Sequence, residues 1–240
     1  MTTNQKRKKA LLDLQELLRK ENNKVLQGDS KVHFIYRNAF VENLSKTFIY
    51  ENCNTIPKTW KKKKKLGSGS YGNVYEICNG TNCNYAIKEQ KNNDSFSEEI
   101  RILKNLEYWK HSPKMFAYWS CNKKGYIVEE KLYPFKIKKN QKAAFNLEIH
   151  RILDQLYYDF NIIYADVHDG NFLLSKLGEI VVIDFGLSRI FKNENDVFDE
   201  DHVLSEPGWR HKLFYPKTGP LTVKMVKRYQ DIEAQKYFPV

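Results

Sequence analysis

The stretch Gly67-Ser68-Gly69-Ser70-Tyr71-Gly72-Asn73-Val74 constrains this chain more than any other feature. Glycines without a Cβ leave a backbone that a phosphate can approach closely. The flanks decide which kind of glycine loop it is. Lys61 to Lys65 and Leu66 lead into it as the first strand of a small sheet, and Val74 to Cys78 continues as a strand. A dinucleotide-binding fold places a helix directly after its glycines, so that fold is excluded. The turn signal Asn79-Gly80 then joins Val74–Cys78 to Asn84–Glu89 as a hairpin. The second arm carries Ala86-Ile87-Lys88, and Lys88 falls sixteen residues after Gly72.

Two carboxylate motifs lie further on, each at the end of an apolar element. Residues 141–160 form a helix with Phe145, Ile149, Ile152, Leu153, Leu156 and Phe160 on one face. Asp166-Val167-His168-Asp169-Gly170-Asn171 comes after it. Two short strands, Phe172-Leu173-Leu174 and Ile180-Val181-Val182-Ile183, are joined at Lys176-Leu177-Gly178 and end at Asp184-Phe185-Gly186. Element ends are where sites are usually built, and a carboxylate can accept a proton as a bond forms.

Taken in order, the four motifs resemble the protein-kinase family, over residues 61 to about 190. The resemblance implies an α+β, bilobal protein-kinase-like fold: a five-stranded antiparallel N-lobe sheet with one helix, and a reduced, mostly helical C-lobe. Met115–Ser120 and Tyr126–Leu132, around the turn Asn122-Lys123-Lys124-Gly125, supply the last two strands. Ser95 to Trp109 reads as the helix, with Ser95 and Glu98 as a capping box and Ile100, Leu103 and Leu106 as its buried stripe. The chain then divides into a basic N-terminal extension (1–60), an N-lobe (61–132) and a C-lobe (133–240).

The resemblance also implies roles. Gly67, Ser68, Gly69, Ser70, Tyr71, Gly72, Val74 and Ala86 surround a bound nucleotide. Lys88 holds the α- and β-phosphates of ATP, and Glu99 positions Lys88, with Glu98 read as a cap residue. Val128-Glu129-Glu130-Lys131-Leu132 is similar to the hinge that pairs with adenine through its backbone, which places Glu129 and Lys131 at the nucleotide. Asp166 orients the acceptor hydroxyl and takes its proton, while Asn171 and Asp184 hold Mg²⁺. His168 either touches phosphate or braces its loop.

The sequence also departs from the family. Tyr164-Ala165-Asp166 stands where His-Arg-Asp is usual. In many kinases that Arg pairs with an activation-loop phosphate. Ala165 cannot, so activity is expected not to depend on phosphorylation there. Asp-x-His-x-Gly-Asn also resembles choline and aminoglycoside kinases and some atypical protein kinases. Asp184-Phe185-Gly186-Leu187-Ser188 resembles the small kinase of the tRNA-threonylcarbamoylation complex. Little chain remains after Asp184, which leaves small room for the inserted subdomain of small-molecule kinases. The reading is therefore phosphoryl transfer from ATP to Ser or Thr of a protein. A small-molecule phosphotransferase and an inactive basic nucleotide-binding scaffold stand as alternatives.

Net charge is +11, mostly from Lys. That favours diffuse attraction to polyanions, so Lys61–Lys65 and the N-terminus are a candidate nucleic-acid or polyanion surface. Residues 6–20 read as a basic amphipathic helix, and Val32, Phe34 and Tyr36 alternate like a strand. Cys53, Cys78, Cys83 and Cys121 show no metal-ligand spacing and read as free thiols of a reducing compartment, cytoplasmic or nuclear, with a disulfide between Cys78 and Cys83 across the hairpin as the alternative. There is no run of eighteen apolar residues and no signal-peptide pattern at the start.

Overall fold

The computed structural model describes residues 33–34, 60–69, 72–121, 123–134, 137–198 and 221–240. The amphipathic stretch 6–20 and, within the glycine-rich motif, Ser70 and Tyr71 lie outside them.

Alternation and turn chemistry build the first lobe. Strands β1 (His33–Phe34), β2 (Trp60–Gly69), β3 (Gly72–Asn79) and β4 (Asn82–Lys91) precede helix α1 (Asp94–Asn105), and β5 (Met115–Cys121) and β6 (Lys124–Glu130) follow it. They form one antiparallel sheet in the order β1-β5-β6-β4-β3-β2. The five strands β2 to β6 are those expected from the sequence. β1 adds a sixth short strand, pairing His33 with Tyr118 and Phe34 with Ala117 on the outer edge of β5. An edge offers unpaired backbone groups, which is why so short a segment can join there. Lys61 to Lys65 lie in β2 and all five are exposed. Lys62 bonds Glu89 at 2.6 Å and sits 3.5 Å above the Tyr75 ring.

Gly80 turns the β3–β4 hairpin with φ +60°, a left-handed conformation that glycine adopts without strain. Beside that turn, Cys78 and Cys83 are joined in a disulfide, with Cα atoms 4.1 Å apart. This corrects the reading of both as free thiols. A tight hairpin brings cross-strand Cα atoms to about 4.5 Å whatever the residues are, so the turn itself delivers the two sulfurs to each other. The cysteine argument for a reducing compartment loses this pair.

Helix α1 is capped two residues earlier than expected. Asn93 is its cap, accepting the Phe96 N–H at 3.2 Å, and the helix ends at Asn105. Ser95 and Glu98 form no capping box, because both side chains bond groups in the other lobe. Ile100, Leu103 and Leu106 are buried as the pattern required.

The second lobe comprises α2 (Lys142–Phe160), β7 (Ile162–Ile163), β8 (Phe172–Leu174), β9 (Ile180–Val182), β10 (Arg189–Ile190), β11 (Val197–Phe198), β12 (Leu221–Thr222) and α3 (Val223–Tyr237). Helix α2 buries Ile149, Ile152, Leu153 and Leu156 and stops at Asn161 in a left-handed cap. β8 and β9 pair with Phe172 opposite Val182, and β7 pairs with β10. The sequence reading had no α3. Thr222 caps it, and Val223, Val226, Tyr229, Gln230, Glu233 and Ala234 line its buried face at helical spacing. Just beyond, the Phe238 ring lies 5.1 Å from Phe172 and 6.1 Å from Phe145. Asn146 donates to the Pro239 carbonyl at 2.7 Å.

One apolar cluster runs through both lobes, from Ile100 and Leu103 of α1 through Tyr164 and Phe185 to Phe238. It fixes α1 against the segments that carry the two carboxylate motifs. Among the described residues no helix is long and apolar enough to cross a membrane.

If the C-terminal turn is part of this core, Phe238→Ala should cost about 3–5 kcal/mol in urea unfolding. A loss under about 1 kcal/mol would show that the core closes without it.

Candidate active site

Strand β4 presents Lys88 on the same face as Ala86, since side chains two apart share a face. Lys88 is 6% exposed, and burial alone would depress its ammonium. Two carboxylates outweigh that and hold its pKa above the ordinary value. Its Nζ lies 2.6 Å from Glu99 Oε1 of α1 and 2.9 Å from Asp184 Oδ1. Gln90, two residues along the same face, donates to the other Glu99 oxygen at 2.7 Å. The structure thus brings Glu99, and not Glu98, to Lys88. Strand period pointed to Gln90, but the sequence reading did not include it.

Asp184 sits in a left-handed backbone with φ +59°. For a non-glycine residue this costs about 1–3 kcal/mol and persists only where neighbours enforce it. Ile183 N–H donates to the Asn171 carbonyl at 3.0 Å, and the Tyr164 hydroxyl donates to the Ile183 carbonyl at 2.7 Å. Phe185, on the other side, is fully buried, with its ring 5.6 Å from that of Tyr164. Asp184 is therefore held from both neighbours, with its carboxyl still partly open to the cleft.

The Asp166 loop is braced in the same way. Asn171 Nδ2 donates to the Asp166 carbonyl at 2.9 Å and to its carboxylate at 3.0 Å. His168 Nδ1 accepts the Gly170 N–H at 3.1 Å, so the neutral ring carries its proton on Nε2, which lies 3.7 Å from Asp166 Oδ2. That carboxylate holds the His168 pKa above the ordinary imidazole value. His168 thus braces the loop and adjoins Asp166. From below, the fully buried Gln230 of α3 accepts the Tyr164 N–H at 3.3 Å. Sixty-six residues separate Tyr164 from Gln230, and no local pattern joins them.

Over the cleft, β2 and β3 pair Gly67 with Val74, Ser68 with Asn73 and Gly69 with Gly72. A Cβ on Gly72 would meet the Glu89 carbonyl at 2.1 Å, so sheet packing alone demands glycine there. A Cβ on Gly67 or Gly69 would meet nothing. The protein's own packing does not require those two, whereas a closely approaching phosphate would. Val74 pairs with Lys88, and Ala86 with Glu129. Lys131 spends its N–H on the Asn84 carbonyl and its ammonium on Glu76, which leaves its carbonyl for a base.

The donor set fits a magnesium–phosphate group. Asn171 commits its amide nitrogen to Asp166, which leaves its oxygen, and Asp184 commits only Oδ1 to Lys88. Mg²⁺ is commonly held by one or two such oxygens together with substrate phosphates.

A model of the protein kinase domain matches residues 60–210. With the glycine loop, the Lys88–Glu99 pair and the Asp166 and Asp184 loops in one cleft, the chain belongs to the protein kinase family. It is similar to mitogen-activated protein kinase kinase kinase 1 of Arabidopsis thaliana, 27% identical over 165 residues, which are 60% of this chain and 26% of that protein. It is similar also to serine/threonine-protein kinase dst4 of Dictyostelium discoideum, 28% identical over 188 residues, 70% of this chain and 38% of that one. Tyrosine-protein kinase FRK of Homo sapiens is 26% identical over 160 residues, 60% of this chain and 32% of that protein. The chain thus spans well under half the length of these relatives.

The His168–Asp166 contact sets a pH dependence. The folded state keeps the His168 proton to higher pH than the unfolded chain does. Its contribution is whole below the ordinary imidazole range and is lost as pH rises through the folded value. Urea midpoints measured between about pH 5.5 and 8.5 should fall more steeply with rising pH in the wild type than in His168→Asn. Parallel profiles would mean the two side chains do not interact.

Proposed function

We propose that this chain transfers the terminal phosphoryl group of ATP to Ser or Thr hydroxyls of a protein, with Mg²⁺, and without needing phosphorylation of its activation segment. The observation that carries the reading is the Lys88–Glu99–Asp184 cluster beside the Asn171–Asp166 pair. It puts a phosphate-binding cation, two cation-ligating oxygens and a proton acceptor in one cleft. The relatives named protein kinases support a protein acceptor, and the one named a serine/threonine kinase is matched over the larger share of this chain.

In this mechanism Lys88 grips the α- and β-phosphates from a position that Glu99 fixes. Asn171 and Asp184 would hold Mg²⁺, which neutralises charge on the phosphate oxygens. Asp166 accepts the proton of the acceptor hydroxyl as that oxygen bonds to phosphorus and the bond to the leaving diphosphate breaks. Asn171 holds the Asp166 carboxylate in orientation. Turnover then needs only that these groups be in place.

Independence from phosphorylation is supported by how α1 is tied down. Ser95 Oγ donates to the Gly186 carbonyl at 2.6 Å, and Glu98 accepts the Ile190 N–H at 3.1 Å. These bonds join α1 to the start of the segment after Asp184 with no added phosphate. Ala165, 1% exposed, fills an apolar cluster where an arginine would otherwise wait for one. We also infer lobe boundaries of 61–132 and 133–240, with an extension over 1–60. The exposed Lys61, Lys63, Lys64 and Lys65 are a surface for a polyanionic partner, whose binding should weaken steeply with salt.

Labelled-phosphate transfer to casein and myelin basic protein, beside a panel of amino alcohols and sugars, tests the acceptor. Asp166→Asn should lower transfer by about 10²–10⁴-fold and leave nucleotide binding intact. Transfer only to the small molecules would sink the protein-kinase reading. No transfer with intact nucleotide binding would leave a scaffold.

Phosphatase-treated enzyme, verified by mass spectrometry, should keep its turnover within about twofold. Loss of turnover together with a phosphosite between Leu187 and Glu206 would overturn the independence.

A further inference from the structure

The hinge end of the cleft carries an acid that the phosphate machinery leaves unused. Glu129 lies in β6 directly opposite Ala86 of β4, while Ile127 lies opposite Lys88. Directly paired residues of antiparallel strands share a face, so Glu129 faces the same side as Ala86 and Lys88. Met115 of β5 pairs with it from the other flank. Ala86 and Met115 are both buried, so Glu129 stands on an apolar wall between them. Two residues along a strand is about 6–7 Å, which puts this wall one step beyond Lys88 toward the hinge. With phosphates at Lys88, the base of the nucleotide comes to rest there.

Glu129 is half-buried in the cleft wall, and its carboxyl makes no hydrogen bond or ion pair with any described residue. That carboxyl is placed among the charges of Glu99, Lys88 and Asp184. Desolvation, reinforced by Glu99 and only partly relieved by Lys88, pushes its pKa up to about 8. An acid in that setting costs folding energy unless something pairs with it. β4 and β5 close off both flanks of Glu129, so the cleft is the side from which a partner can come.

We propose that Glu129 is a specificity-determining residue that reads the exocyclic position of a purine, favouring a 6-amino base over a 6-oxo base. The inference rests on the reading above that the cleft takes a purine nucleoside triphosphate. The selectivity belongs to the ionised carboxylate. An ionised carboxylate only accepts hydrogen bonds, so it takes an amino N–H and repels a carbonyl oxygen. A protonated carboxyl adds a donor that O6 can accept, so the binding test is run at a pH above the raised value of Glu129.

The test is calorimetric binding of MgATP, MgGTP and MgITP to the full chain, as wild type, Glu129→Gln and Glu129→Leu, with Lys88→Ala for comparison. ITP carries the 6-oxo group without the 2-amino group of GTP, so it separates the 6-position from a clash elsewhere on the base. The wild type should prefer ATP over both others. Glu129→Gln can donate to O6 as well as accept, and should shrink that preference about tenfold. Glu129→Leu should shrink it by weakening ATP, whereas Lys88→Ala should weaken all three alike. Unchanged preference in both Glu129 variants, or equal wild-type affinity for ATP and ITP, overturns the inference while the nucleotide reading stands. No binding of any of the three by the wild type overturns the nucleotide reading itself, and this inference with it. Unfolding curves for each variant separate loss of contact from loss of fold.

Discussion

The buried ammonium of Lys88 is the constraint on which the remaining structure depends. It sits on the sheet, and its two partners come from α1 and from the end of β9. A charge this deep is tolerable only when paired. Removing one partner from such a group typically costs about 3–5 kcal/mol. The sheet, the helix and the Asp184 loop are therefore not independent choices. Each is held where it is partly because the others would otherwise leave a bare charge in a poorly solvated place. The left-handed backbone at Asp184 belongs to the same arrangement, since it is the turn that aims the carboxylate back at Lys88.

A second set of contacts makes that arrangement rigid. Tyr164 links the Asp166 loop to the Asp184 loop through the Ile183 carbonyl and the Phe185 ring. Gln230 then ties Tyr164 to α3, and Phe238 closes the core beneath α2. A short C-lobe thus obtains its floor from the last residues of the chain. Local strain at the site is balanced by apolar packing and by backbone hydrogen bonds some distance away.

Much of this was legible before the fold was known. The glycine loop, the β3–β4 hairpin, the apolar stripes of α1 and α2 and the β8–β9 pair all follow from short periodicities and turn residues. The pairing of Lys88 with Glu99 was readable through the resemblance of that helix to the kinase helix, and the structure buries Glu99 against Lys88. Ser95 and Glu98 misled because a capping box is a statement about the nearest turn. Their hydroxyl and carboxylate instead found the Gly186 carbonyl and the Ile190 amide, about ninety residues away. The two hairpin cysteines misled because the lack of a paired-cysteine pattern argued for free thiols, although the hairpin sets the two residues across from each other. Helix α3 escaped notice because its buried face includes Gln230 and Glu233, which look like surface residues until their surroundings are seen. Glu129 was read for its backbone, and only strand register showed its carboxyl on the cleft wall.

The order and type of strands β2 to β6, of helices α1 and α2 and of strands β8 and β9 were readable from the sequence alone, as were the places of the glycine and carboxylate motifs. These depend on neighbours within a few residues, where backbone geometry allows few outcomes. Which charges meet, which polar side chains brace the two loops and which face of β6 carries an acid were decided by the tertiary structure. The charge contacts at Lys88 reach eleven positions along the chain to Glu99 and ninety-six to Asp184, and packing, unlike spacing, sets which of many charged side chains arrives within hydrogen-bonding reach.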